Sequence, residues 1–291
     1  MKITITGSLG NISKPLAQTL VSAGHEVTVI SSSADKVKAI EDSGATAAIG
    51  SVDDVDFLTK AFTGADAIYT MCPPNYAAPD FRSFMNTVGQ NYAAAIRASG
   101  VTQVVNLSSI GAHLAEGTGP IKGLHDVEHI FSELEGVSVK HMRPAYFYVN
   151  LYGSADMIRH AGIIGGNYGE AAELVLVHPN DIAQAIAEEI QQPFTGKSIR
   201  YVTSDVRTPA EVATVLGTAT GKPDLKWVEF TDEQAYDGMI QAGLPVELAR
   251  NFVEMGTAIR SGVLWEDFKV NQPEFSATKL EDFAKEFAAA F

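Results

Sequence analysis

The sequence predicts an α/β fold, a doubly wound parallel sheet joined to a smaller, mostly helical C-terminal domain. Three observations carry that expectation. A buried strand beginning at Lys2 runs through a glycine turn straight into a helix, and apolar runs of strand length then alternate with helical stripes as far as residue 143. The third observation is composition: 46% of the 291 residues are hydrophobic and 19% charged, which excludes extended disorder and suits one main domain with an appended one.

The opening stretch is the most informative. Thr6-Gly7-Ser8-Leu9-Gly10-Asn11-Ile12-Ser13 has the spacing Gly-x-x-Gly-x-x-Ser. A nucleotide pyrophosphate is held by backbone N–H groups at a helix N-terminus, and only a backbone without bulky side chains lets it approach. Gly7 and Gly10 meet that need, and Ser13 takes the third small position, which lets the helix lie close to the strand. The turn therefore predicts a dinucleotide phosphate cradle, with Gly7, Leu9, Gly10, Asn11 and Ile12 facing the cofactor; an ordinary strand-to-helix loop is the plainer alternative. A helix over about 12–23, a stop at Gly24-His25 and a strand over 26–30 close the β-α-β unit within roughly thirty residues.

At the tip of the second strand such proteins choose their cofactor, because a carboxylate accepts from a ribose 2′-OH whereas basic or hydroxyl groups suit a 2′-phosphate. The chain offers Ser31, Ser32 and Ser33, then Lys36 and Lys38, with no carboxylate at the tip itself. NADP(H) is the preferred cofactor on this reading and NAD(H) remains possible, since three serines also make a polar turn and helix cap.

Further elements follow in alternation: strands over 45–49, 65–71, 101–108 and 137–143, with helices over 55–62, about 79–99 and between the last two strands. Asp53 and Asp54 read as a helix cap. Repeated alternation means a parallel sheet covered on both faces, whose ligands bind beyond the carboxyl ends of the strands. Those ends are 7–12, 31–33, 71–75, 108–113 and 144–148.

Net charge is −14, which excludes a nucleic-acid partner held by direct electrostatics. Cys72 is the single cysteine, so no intramolecular disulfide or cysteine-rich metal site is expected; a packed side chain is its simplest role, and redox sensitivity requires exposure. The histidines lack metal-ligand spacing. No apolar run is long enough to span a bilayer, and a strand starting at Lys2 leaves no room for a signal peptide, so the cytoplasm is the expected location and no membrane partner is expected.

Several stretches together resemble the NmrA-like branch of the atypical short-chain dehydrogenase/reductases. They are Thr6-Gly7-x-x-Gly10, Gly50-Ser51-Val52-Asp53-Asp54, Gly64 to Tyr69, Leu107-Ser108-Ser109, Asp126-Val127-Glu128, Arg143-Pro144-Ala145-Tyr146-Phe147, and His178-Pro179-Asn180-Asp181. The resemblance continues through Gly243-Leu244-Pro245, Ile259-Arg260-Ser261-Gly262 and Ala277 to Ala284, so it spans nearly the whole chain. It implies a Rossmann domain over 1–150 to which 172–205 returns, with a smaller substrate and lid domain over 151–171 and 206–291. It further implies that Ser32, Ser33 and Lys36, with Ser31 beside them, hold the adenosine end. Met71, Cys72 and Pro73 would line the adenine and ribose side, and Pro144, Tyr146 and Phe147 would flank the nicotinamide. Ser108 is a further cofactor or substrate contact.

The chain departs from the wider superfamily where the chemistry is done. A Tyr-x-x-x-Lys dyad supplies a phenol whose pKa the lysine lowers, yet there is no tyrosine between Ala112 and Phe131. Three substitutes are visible: His125, since imidazole exchanges protons near neutrality; Tyr146 or Tyr148; or no protein acid at all, with water protonating the anion that an activated ring becomes on reduction. Two function classes follow. One is an NADP(H)-dependent reductase of small aromatic, quinone-like or enone substrates. The other is a non-catalytic NAD(P)-binding sensor with a protein partner. Either suits a monomer or a homodimer.

In the second half, Gly162 to Gly169 reads as a mobile loop, strands over 173–177 and 198–203 as returning to the main sheet, 208–261 as helical, and 278–291 as a terminal helix docked on Leu280, Phe283 and Phe287.

Overall fold

A computed structural model describes residues 1–291, and the chain forms two compact units. One comprises residues 1–109, 123–143 and 182–200, the other 110–122, 144–181 and 201–291. The second unit is thus larger than expected, taking in 110–122, 144–150, 172–181 and 201–205, which the sequence assigns to the nucleotide-binding domain. No helix is long and apolar enough to cross a membrane.

In chain order the strands are β1 (Lys2–Ile5), β2 (Glu26–Ser31), β3 (Thr46–Ile49), β4 (Ala67–Thr70), β5 (Gln103–Leu107), β6 (Ser138–Pro144), β7 (Tyr146–Phe147), β8 (Ile163–Gly166), β9 (Leu174–Val177), β10 (Lys197–Val202), β11 (Asp205–Arg207) and β12 (Lys226–Glu229). The main sheet has seven strands in the order β10-β6-β5-β4-β1-β2-β3. β1 pairs in parallel with β2 and β4, β2 with β3, β4 with β5, and β5 with β6. The order reverses between β1 and β4, which makes the carboxyl end of β1 the switch point where doubly wound sheets open a crevice. Gly7 lies one residue beyond the Thr6 that follows β1.

Local sequence explains the elements that frame this edge. The helix Val55–Phe62 starts where Asp54 accepts from Phe57 N–H at 2.9 Å, so of the aspartate pair Asp54 is the cap. Asp80 caps the helix Phe81–Ser99 by accepting from Ser83 N–H at 2.8 Å, and Gly100 ends it in the left-handed conformation, φ 77°. Its apolar stripe, with Met85, Val88, Tyr92 and Ile96, packs into a core with Phe62, Val104, Val127 and Phe131.

Two expectations for the second half are corrected. β9 does not return to the main sheet; it lies between β11, antiparallel, and β7, parallel, in a separate three-stranded sheet. A run of four fully buried residues, Leu174–Val177, fits any two-sided sheet and carries no information about which one. The glycine-rich stretch is not a loop throughout either. Ile163–Gly166 is β8, paired in parallel with β12 inside the segment expected to be helical. Its glycines serve close approach, because a Cβ on Gly165 would stand 2.3 Å from Val228 O. The terminal helix, Leu280–Ala290, docks within the second unit as expected: Phe283 stacks on Tyr148 at 5.3 Å between ring centroids and Phe287 on Tyr152 at 5.3 Å.

A polar row crosses the main sheet at adjacent register positions. Thr70 Oγ1 donates to Asn106 Oδ1 at 3.0 Å, and Asn106 Nδ2 lies 3.1 Å from His141 Nδ1. Because the amide nitrogen donates, Nδ1 accepts and the imidazole is neutral. Burial pushes the His141 pKa from 6.5 down to about 4, with Arg143 and Lys197 lowering it further and Glu128 opposing them. The unfolded chain therefore takes up a proton near the ordinary value while the folded protein does not, so stability present above that value is lost as the pH falls toward 4. Urea unfolding at pH 7 and pH 4 should show a loss of roughly 3 kcal/mol that is absent in His141→Gln. Parallel losses in the two proteins would remove His141 as the cause.

Candidate functional site

The carboxyl end of β1 is shaped by one close contact. Ser13 Oγ donates to Thr6 O at 2.8 Å, drawing the first turn of the helix Ser13–Ser22 onto the strand. A Cβ on Gly7 would stand 2.5 Å from that oxygen and 3.0 Å from Met71 Cγ, and φ there is +88°, so only glycine fits. Ser8 follows at φ 55°, and Gly10 N–H closes the turn on Gly7 O at 3.1 Å. Gly10 and Asn11 are exposed on the outer rim, whereas Ile12 and Ser13 are buried beneath it. The helix has no side-chain cap, since Ile12 stands at the N-cap. The positive end of its dipole therefore faces the rim, as an anion at this place requires; within the first turn Lys14 N–H already donates to Gly10 O and Leu16 N–H to Ile12 O, each at 3.0 Å, and Pro15 has no N–H, which leaves Ser13 N–H as the turn's donor. A glycine where a Cβ would collide and an uncapped helix start under an open rim together fit a dinucleotide pyrophosphate.

The other predicted cofactor positions of the first unit stand at the same edge. Ser31 is buried; Ser32 and Lys36 are exposed, and Ser33 is half-buried. Asp35 is exposed in the same turn, a carboxylate one residue from Lys36 that the expectation of a carboxylate-free tip did not weigh. Lys38 pairs with Asp42 at 2.8 Å, on its own helical turn. Beyond β4, Met71 N–H donates to Thr6 Oγ1 at 2.9 Å and Met71 O accepts from Tyr92 Oη at 2.8 Å, so Met71 is clamped beside Gly7. Sequence reasoning missed both clamps: Tyr92 was legible only as part of an apolar stripe, and Thr6 only as the residue before a glycine. Cys72 is buried and desolvation pushes its thiol up to about 12, so it stays protonated and packed, and the redox reading has no exposed thiolate to stand on.

Ser108 ends β5 on a buried ion pair. Arg143 grips Glu128 with Nε at 2.9 Å and Nη2 at 2.7 Å, and Ser108 Oγ donates to Glu128 Oε1 at 2.5 Å. The Glu128 carboxyl, gripped by two guanidinium N–H groups, accepts from all three, so the serine proton is committed to it. His125 is half-buried on the helix Lys122–Ser132, next to Asp126, whose carboxyl is held below its usual range first by Arg82 at 2.7 Å.

Pro144, Tyr146, Phe147 and Tyr148 belong to the second unit. Pro144 is buried and its carbonyl accepts from Ile110 N–H at 2.9 Å. Tyr146 and Phe147 are half-buried in β7. Tyr148 is fully buried against Phe283, its hydroxyl 3.4 Å from Asp205 Oδ2, and burial followed by the Asp205 charge pushes the phenol pKa upward. Tyr148 thus stands as a packed phenol beside a carboxylate, surroundings that do not suit the proton exchange expected of it.

Residues 7–134 match the model of a family described as NAD(P)H-binding. This bears out the nucleotide class expected from the Gly7 to Ser13 turn. The chain is also similar, at 24% identity over 261 residues covering 89% of it and 88% of the relative, to a (4-alkanoyl-5-oxo-2,5-dihydrofuran-3-yl)methyl phosphate reductase of Streptomyces griseus. Among solved structures, it shares its fold with an NADPH-dependent quinone oxidoreductase of Escherichia coli in complex with NADPH (TM-score 0.84, 19% identity, 98% and 99% of the two chains covered). A triphenylmethane reductase of Citrobacter sp. is as similar (TM-score 0.83, 20% identity, 99% and 100% covered).

Gly10→Asp would set a carboxylate on the exposed rim against the bound phosphates, its Cβ 3.1 Å from Gly7 O, a close contact that a small shift of the turn must absorb. Fluorescence titration should find no NADPH binding, with the unfolding midpoint within a few degrees of wild type; wild-type affinity would place the phosphates elsewhere.

Proposed function

We propose that this protein is an NADP(H)-dependent oxidoreductase that reduces small aromatic, quinone-like or enone substrates without a Tyr-x-x-x-Lys dyad. The observation that carries the reading is the Gly7–Ser13 cradle, closed beneath by Ser13 and Met71 and open at Gly10 and Asn11, in a stretch matching an NAD(P)H-binding family. The names of the similar proteins support the reaction type: a furanone phosphate reductase, a quinone oxidoreductase and a dye reductase. Ser32 and Lys36, exposed beyond β2, favour the 2′-phosphate of NADP(H), and Asp35 between them leaves room for NAD(H).

The cofactor, when bound, supplies a hydride. The chain's own part is to bind, orient and exclude water. The positive end of the helix Ser13–Ser22 and the close-packed turn ahead of it would take the pyrophosphate, and the clamp on Met71 fixes the loop beside it. For the proton, His125 is the candidate in the first unit and Tyr146 in the second. A quinone or conjugated enone places the incoming electron pair on a delocalised anion that water can protonate, so this substrate class depends least on a dedicated protein acid. The missing dyad also favours a second reading, a nucleotide-binding regulator.

The deciding experiment is a fluorescence titration with NADPH and NADH, followed by oxidation of the bound cofactor on adding a panel of quinones and enones. Substrate-dependent oxidation is expected; tight binding with no turnover across the panel would select the regulator. His125→Ala should lower turnover by roughly tenfold to a hundredfold with unchanged affinity for NADPH if it delivers the proton. Unchanged turnover would remove it from the reaction.

A further inference from the structure

The sequence reading put Ser31 among the cofactor contacts, but its hydroxyl has no capacity left for a ligand. Ser31 is 3% exposed. Its oxygen accepts from Ser8 Oγ at 2.9 Å and from Ser33 N–H at 3.2 Å, and its own proton goes to Ser33 O at 3.4 Å. One donor and two acceptor positions are therefore all taken. Its carbonyl is engaged as well, accepting from Gly50 N–H at 3.0 Å. Ser31 thus ties together the loops that follow β1, β2 and β3.

Ser8, at the other end of the link, is the one non-glycine residue with positive φ, 55°. An L-residue holds that conformation only where its surroundings compensate. Here the compensation comes from β2: Ser8 N–H donates to Ile30 O at 3.0 Å while its hydroxyl donates to Ser31. The strained residue of the phosphate turn is therefore held by the strand whose tip carries Ser32 and Ser33. The turn continues through Lys36 N–H, which donates to Ser33 O at 3.2 Å.

We propose that Ser8 and Ser31 are positioning residues whose hydroxyl link sets the spacing between the pyrophosphate turn and the adenosine end, and thereby the preference between NADPH and NADH. The inference rests on the cofactor reading above and goes beyond it in assigning selectivity to two side chains that do not themselves contact the 2′-position. The mechanism is preorganisation. With the link intact, the turn at Gly7 to Gly10 and the tip at Ser32 to Lys36 are presented at one fixed separation. Without it, Ser8 is free to leave its strained conformation and the turn loses its side-chain tie to the tip; where Ser31 is the residue changed, Ser33 N–H loses its acceptor as well. Each cofactor must then reorder both loops, and a group read at the tip is read less sharply.

The test is a double-mutant cycle on dissociation constants, measured by fluorescence titration with NADPH and with NADH on wild type, Ser8→Gly, Ser31→Ala and the double variant. Glycine is chosen at position 8 because it adopts the observed φ freely, so the fold is not burdened. Each single change should weaken binding of the preferred cofactor about tenfold, and the double variant should bind no more weakly than Ser31→Ala alone, because Ser8→Gly removes only the link that Ser31→Ala removes together with the acceptor of Ser33 N–H. The ratio of the two dissociation constants should move toward unity in all three variants, a shift that a purely structural defect, weakening both cofactors equally, would not give. If Ser31→Ala does not fold, Ser8→Gly alone must show the loss and the change in ratio. Unchanged affinities, a double variant weakened about a hundredfold, an unaltered ratio, or a wild type without preference would each overturn the proposal. A wild type that binds neither nucleotide would overturn the cofactor reading itself, and this inference with it.

Discussion

The contact of Ser13 with the end of β1 is the constraint on which the rest of the site depends. Glycine at the third small position of such turns permits close packing by having no side chain, whereas Ser13 reaches the same approach by bonding the carbonyl just beyond the strand, Thr6 O. The hydrogen bond then dictates the neighbour. With Ser13 Oγ 2.5 Å from where a Cβ on Gly7 would stand, position 7 admits no side chain, and its left-handed φ demands glycine independently. The two requirements agree, and agreement between local conformation and packing is what gives a turn a single structure. The uncapped first turn of the helix is held at the switch point of the sheet as a result.

Around that contact, buried polar groups at the carboxyl edge are joined in small closed sets. Thr6 and Tyr92 hold Met71; Thr70, Asn106 and His141 run across three strands; Arg143, Glu128 and Ser108 join β6, a helix and β5. Each set is costly if broken and modest in net stability when whole, because a low dielectric strengthens a satisfied bond and penalises an unsatisfied one. Their joint effect is rigidity. The loops that carry the ligand-facing residues are mounted on an edge whose strands cannot shift register without stranding a buried polar atom.

The first 143 residues were legible because strand and helix there have different periods and conspicuous stops, so that the helix expected over 55–62 is the helix observed. The close-packed turn at Gly7 to Ser13 was legible for a chemical reason, two glycines and a serine at the spacing that a close strand-to-helix approach requires. What failed was whatever depends on partners distant in sequence. Gly162 to Gly169 gives the same local signal whether its glycines are free or pressed against Val228 and Trp227, and the structure shows the second. Leu174–Val177 names no partner strand. Tyr148 and Ser31 look like reagents in a sequence, and only their surroundings, Asp205 with Phe283 for one and Ser8 with Ser33 for the other, show them already engaged.

The Glu128–Arg143 pair bears on the reaction class as well as on stability. Its carboxylate, gripped by two guanidinium N–H groups, accepts the Ser108 proton, so at the end of β5 the serine presents lone pairs and not a hydrogen-bond donor. A carbonyl reduced to a localised alkoxide needs a donor at its oxygen, and neither Ser108 nor a tyrosine on the following helix supplies one. A substrate that spreads the same charge over a ring or a conjugated system makes no such demand. The ion pair and the absence of the dyad thus agree: neither Ser108 at the end of β5 nor any tyrosine on the helix that follows offers a hydroxyl donor, which is the arrangement the reaction proposed above would tolerate.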